Sequence, residues 1–237
     1  MQLEAITWQR MAERLAGHLD EHLDEHLDEH LDEHAGEHAG GYGSPAREGS
    51  WQRVGIDGAP AADTGVLAGH LADALRLRSR PALVVAAEGF LRPASLRFEF
   101  GREDVDSYLG GWYDTAALWR EVFGPTDPGG TGRVLPDLWD PVTDRATRSP
   151  YTELPPGGVV IVHGPLLLGH WFPFDLSVHI RLSPGALARR TEESARWTLP
   201  AFARYEAETD PGARADAVVR ADDPRHPAWT GLTGPTG

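Results

Sequence analysis

Short apolar runs alternate with helical stretches along this chain, and the alternation predicts an α/β domain built on a mainly parallel sheet. Three observations carry that expectation. Residues 81–87, 158–163 and 176–182 are apolar runs of strand length bounded by turn residues, the pattern of strands buried on both faces. Residues 64–77, 184–190 and 199–208 have helical length and apolar spacing. A further short apolar run, 51–57, ends in a glycine turn that opens directly into the first of those helices.

From the N-terminus, residues 1–39 form an acidic segment. Its centre is a tandem repeat, His-Leu-Asp-Glu, starting at His18 and copied four times to Glu33. A period of four lies close to the helical 3.6, so Leu15, Leu19, Leu23, Leu27 and Leu31 make a slowly drifting stripe. Asp20, Asp24, Asp28 and Asp32 stack like charges one turn apart, each pair costing about 0.2–0.5 kcal/mol, so this reads as a helical or disordered tail. Residues 40–50 read as a flexible linker, 51–230 as the α/β domain and 231–237 as a disordered C-terminus. Within the domain the expected order is strand 51–57, helix 64–77, strand 81–87, helix 113–122, a Pro/Gly-rich stretch at 124–132, strands 158–163 and 176–182, helices 184–190 and 199–208, and strand 217–220.

Composition narrows the function classes. A chain of 237 residues with 41% hydrophobic and 24% charged content suits one soluble domain plus a tail. No run approaches the roughly 18 apolar residues of a membrane span, and the charged residues scattered through 1–16 do not make a secretory signal, so cytoplasm is the expected compartment. The absence of cysteine excludes disulfides and thiolate metal sites. The net charge of −14, of which −9 falls within residues 1–38, argues against non-specific nucleic-acid binding. All 22 basic residues are arginine.

The turn at Gly58-Ala59-Pro60-Ala61-Ala62-Asp63-Thr64-Gly65 has the context of a phosphate-binding loop, in which backbone N–H groups and a helix start cradle an anion. The working pattern is G-x-x-x-x-G-K-[ST]. Here Asp63 stands at the second glycine, Thr64 at the lysine and Gly65 at the hydroxyl residue. These changes bring a carboxylate towards the phosphates, remove the cation that bridges them, and remove the hydroxyl that ligates magnesium. In a chain without lysine only an arginine could replace the missing cation.

Further segments carry a resemblance. Val84-Val-Ala-Ala-Glu88-Gly89-Phe90-Leu-Arg92-Pro93, Arg97-Phe-Glu-Phe-Gly-Arg102 through Tyr108 and Tyr113, Leu138-Trp139-Asp140-Pro-Val-Thr143-Asp144, Val159-Val-Ile-Val-His163-Gly164, and Ala188-Arg189-Arg190 to Arg196 with Phe202-Ala-Arg204-Tyr205-Glu206 are together similar to bacterial uridine-kinase-like proteins. The resemblance implies a three-layer P-loop kinase-like fold and a nucleoside or nucleotide as small-molecule partner, with ATP and magnesium as cofactors. It implies Glu88 as base towards a nucleoside hydroxyl and Asp140 as an acid facing the acceptor. Arg92, Arg97, Arg102, Tyr108, Tyr113 and His163 are implied around the substrate, and Arg189, Arg190 and Arg196 over the phosphates. His163 stands where the family carries a magnesium-supporting acid, and imidazole is a poor magnesium ligand. Three readings follow: a catalytically degenerate nucleotide- or metabolite-binding protein, an active nucleoside kinase with arginine in place of lysine, and a metal-handling or interaction protein. In the third, His18, His22, His26 and His30 pair at i,i+4 to take Zn²⁺ or Ni²⁺, shared between chains because one helix cannot close a tetrahedral site. A homo-oligomer is compatible with each.

Overall fold

A computed structural model describes residues 3–34 and 51–232, with the backbone alone for 22–34. Its elements are β1 (Glu4–Ala5), α1 (Trp8–His34), β2 (Gln52–Asp57), α2 (Thr64–Leu77) and β3 (Ala82–Ala86), followed by the short helices α3 (Ala94–Arg97), α4 (Val105–Gly111) and α5 (Thr115–Leu118). Two-residue strands β4 (Arg133–Val134), β5 (Trp139–Asp140), β6 (Arg145–Ala146) and β7 (Thr152–Glu153) form two small hairpin-like pairs. Then come β8 (Val159–Gly164), β9 (Leu176–Arg181), α6 (Pro184–Arg190), α7 (Leu199–Thr209), α8 (Pro211–Arg214), β10 (Ala217–Arg220) and β11 (Ala228–Trp229).

The main sheet has the order β1-β11-β10-β9-β2-β8-β3. The five strands from β10 to β3 are parallel, while β11 and β1 add an antiparallel edge. Alternation on β8 shows how the layers form. Val159 and Ile161 join a core with α1 and α2 on one face, and Val160 and Val162 join a core with α5 and α7 on the other. A sheet covered on both faces explains why its central strands are continuous apolar runs. The expected helix 113–122 is α5 followed by a widened π turn, Trp119–Phe123.

One expected boundary is corrected. Residues 4–19 belong to the domain: β1 pairs with β11, and Met11, Ala12, Leu15, Ala16 and Leu19 are buried beside Leu67, Leu71 and Leu75 of α2. The leucine stripe of the repeat is thus continued backwards by an apolar face that covers α2. Asp20, inside the first repeat, is held by Arg78 at 3.0 Å and Arg80 at 3.1 Å. The side chains of His22, His26 and His30, the linker 40–50 and residues 233–237 lie outside the described residues. No helix among the described residues is long and apolar enough to cross a membrane.

Candidate functional site

The loop expected to bind phosphate begins where β2 ends. A side chain on Gly58 would stand 2.9 Å from the carbonyl oxygen of Ile180 on β9, so only glycine lets the chain pass. Residues Pro60–Ala62 form a 3₁₀ turn in which the amides of Ala62 and Asp63 donate to the carbonyls of Ala59 and Pro60 at 2.7 and 3.1 Å. Asp63 then takes a left-handed conformation, φ 54°, and opens α2 without capping it through its side chain. Its exposed carboxylate stands 3.9 Å from the point where a Cβ on Gly65 would lie.

Thr64 is buried, and its Oγ1 lies 3.1 Å from Nδ1 of His163, 99 residues away. His163 sits near the C-terminal end of β8, registered between Ile56 of β2 and Ala86 of β3. Burial pushes its pKa down, partly offset by the Asp63 carboxylate, so the ring is neutral at pH 7. A Cβ on Gly65 would approach His163 Cε1 to 3.3 Å. Asp63, Thr64, Gly65 and His163 therefore meet at one place.

On the other side of β8, Glu88 lies in the 3₁₀ turn Ala87–Phe90 after β3. Its Oε2 is 3.4 Å from the Cβ position of Gly164, the residue after His163. Burial raises its pKa, and among the described residues no cation pairs with it. Tyr108 and Tyr113 are buried close to each other and near enough to feel the Glu88 charge; burial and that charge raise both hydroxyls. Glu88, Tyr108 and Tyr113 are thus brought together.

The expected cations do not converge here. Arg97 is buried, with Nε donating to the Arg92 carbonyl at 2.7 Å, Asp144 at 3.7 Å, and its guanidinium over the Trp112 ring. Arg102 is exposed over Phe98, and Arg92 is half-buried beside Leu96 and Glu99. Arg196 pairs with Glu193 at 2.6 Å, Arg190 donates to the Ala221 carbonyl at 3.0 Å, and Arg189 is exposed at the end of α6. The Asp140 carboxylate closes its own hairpin turn, accepting from Val142 N at 2.9 Å and Thr143 Oγ1 at 2.6 Å. The hairpin residue against the Glu88 turn is instead Asp137, whose Cβ is 2.7 Å from the Cβ position of Gly89. The segment between α6 and α7 rests on the same side: Trp197 packs on Tyr108 and Trp112 with centroids 5.5 and 5.4 Å apart.

A charged chain beneath the loop, buried at its Asp57 and His179 end, escapes sequence reasoning. Asp57, the last residue of β2, is fully buried; its Oδ1 accepts from Leu167 N at 2.8 Å and its Oδ2 is 2.7 Å from His179 Nδ1. His179 Nε2 lies 3.0 Å from Glu206 Oε1, and Glu206 Oε2 pairs with Arg181 at 3.3 Å. Tyr205, one residue before Glu206, accepts from Leu168 N at 3.0 Å. The only sequence signal is the polar alternation Ser177, His179, Arg181 within an otherwise apolar strand.

An imidazole with a carboxylate on each nitrogen is favoured as imidazolium, because only that form donates twice. Burial pushes the His179 pKa down, but the bonds to Asp57 and Glu206 outweigh it and raise it to about 9. A raised folded-state value stabilises the fold fully below the unfolded histidine value, about 6.5, and that stabilisation is lost as pH rises through about 9. We expect urea stability to fall by on the order of 2–3 kcal/mol between pH 6.5 and 9.5, and His179→Gln to flatten that limb. An unchanged slope in the variant would show that His179 is not the titrating group.

Neither a family model nor a curated protein matches the sequence. Solved structures do match the fold. A protein described as a possible uridine kinase from Bacillus stearothermophilus superposes with a TM-score of 0.58 at 19% identity, over 83% of this chain and 98% of that one. A provisionally assigned fructose transport system kinase from Silicibacter sp. TM1040 gives 0.50 at 24% identity, over 73% and 85%. With a parallel sheet flanked by helices on both faces and a strand–turn–helix at Gly58, the chain has the three-layer α/β fold of P-loop kinases.

Proposed function

We propose that this chain binds a nucleoside-class small molecule on the Glu88 side of the sheet and does not transfer phosphate from Mg·ATP. The observation that carries this reading is the Thr64–His163 contact at 3.1 Å. Phosphoryl transfer on this fold needs a cation at the first position and a metal-supporting acid at the second. Here each of those residues is the other's hydrogen-bond partner. Gly65 offers no hydroxyl, and a serine Cβ there would crowd His163. The exposed Asp63 carboxylate adds repulsion. These residues do not fit Mg·ATP. Losing one positioned electrostatic group commonly costs roughly 10²–10³ in rate, and these losses fall on a single step.

The acceptor side supports binding. A carboxylate raised by burial and lacking a cation is a good acceptor for a sugar hydroxyl, and Tyr108 and Tyr113 supply adjacent hydroxyls. Calorimetric titration of the full chain with uridine is expected to show binding that weakens at least tenfold in Glu88→Gln, with no uridine monophosphate formed when Mg·ATP is added. Formation of the monophosphate, lost in Arg189→Ala, would instead establish the active-kinase reading with arginine in place of lysine.

A further inference from the structure

A recess of about 520 Å³ opens between the C-terminal end of β9, α6 and α7, and reaches Ala59 of the loop. Its walls are apolar, formed by Leu182, Leu187, Leu199, Pro200 and Phe202. Polar groups gather at one end, where His179, Arg181 and Glu206 meet. Both the volume and the pattern, apolar walls with a few converging polar groups, are those of small-molecule sites.

We propose that this recess binds an uncharged, ring-bearing small molecule whose one hydrogen-bonding group meets the His179–Glu206 end. Charge decides the ligand class. The Asp57 and Glu206 carboxylates already balance the His179 imidazolium and the Arg181 guanidinium. An anionic ligand would meet the Glu206 carboxylate, while both cations that line the recess, His179 and Arg181, are already paired. A cationic one would meet Arg181 and His179. Either leaves a charge unpaired against apolar walls, which is costly, whereas a neutral ring gives up little hydration. The same reasoning keeps a triphosphate out, so the recess is separate from the phosphate loop although it touches the loop at Ala59. It is also coupled to it. His179 is bonded at once to Glu206 in the recess and to Asp57 directly before Gly58, so a ligand that draws on Glu206 acts on the strand that presents the loop.

Titration of the full chain at pH 7 with prodan, a neutral naphthalene ketone, tests this. Saturable one-to-one binding with blue-shifted emission is expected, with the anionic 1-anilinonaphthalene-8-sulfonate at least tenfold weaker. Ala203→Trp, on the exposed face of α7 at the rim, is expected to weaken prodan at least tenfold with an unchanged urea midpoint. Leu187→Trp fills the opposite wall and is expected to act likewise. Saturating Mg·ATP or uridine is expected not to displace prodan, so nucleoside binding can fail without touching this result. Binding that does not saturate, an unchanged Kd in both tryptophan variants, displacement by Mg·ATP or uridine, or tighter binding of the sulfonate overturns the proposal.

Discussion

Asp57→Ala is expected to lower the unfolding free energy by about 3–5 kcal/mol, the usual cost of removing one partner from a buried charged pair. The size follows from what Asp57 holds. Its two oxygens take the Leu167 amide and the His179 imidazolium, and neither reaches water, since Asp57 is 0% and His179 3% exposed. Deleting the carboxylate leaves a buried amide without its acceptor and an imidazolium with only Glu206 opposite. Asp57→Asn keeps the shape and an acceptor for Leu167 but loses the charge, so an intermediate loss is expected. Urea unfolding followed by circular dichroism measures both. A midpoint for Asp57→Ala equal to that of the parent would show that the chain of charges contributes nothing to stability.

Leu15→Ala is expected to cost about 2–5 kcal/mol, as for other fully buried leucines. Leu15 has no exposed surface and lies in the same core as Leu67, Leu71 and Leu75. Its loss leaves a cavity between two helices whose partners are fixed by the sheet beneath. The same geometry predicts that a chain starting at residue 51 melts well below the full chain, because α2 then presents its leucine face to water. Thermal unfolding of both variants is the measurement. Equal melting temperatures would return residues 4–19 to the status of a tail.

That boundary shows where sequence reading stops. Periodicity marked Leu15 and Leu19 as one stripe, yet whether a stripe meets a partner depends on α2, some fifty residues further on. The central strands were legible because burial on both faces demands unbroken apolar runs, and α2 was legible because turn and apolar spacing agree over fourteen residues. The two-residue strands β1 and β11 leave no such signature; they exist because the edge of the sheet is there to pair with. In the site, the resemblance implies Asp140 facing the acceptor and Arg97 beside the substrate. The fold spends Asp140 on its own turn and Arg97 on Arg92, Asp144 and Trp112.

By itself the sequence determines the layered α/β class, the strand–turn–helix at Gly58 and the Asp-Thr-Gly run at 63–65 that follows it. These are local matters of residue identity and spacing. Only the tertiary structure brings Thr64 against His163 and threads buried Asp57 and His179 to half-buried Glu206 in one hydrogen-bonded chain. Those contacts join residues 99, 122 and 27 positions apart. Their geometry is set by the register of β2 against β8 and β9, and by the seating of α7 on the sheet. A hydrogen bond needs its partners within about 3 Å, and only the packed sheet can enforce that tolerance between distant segments.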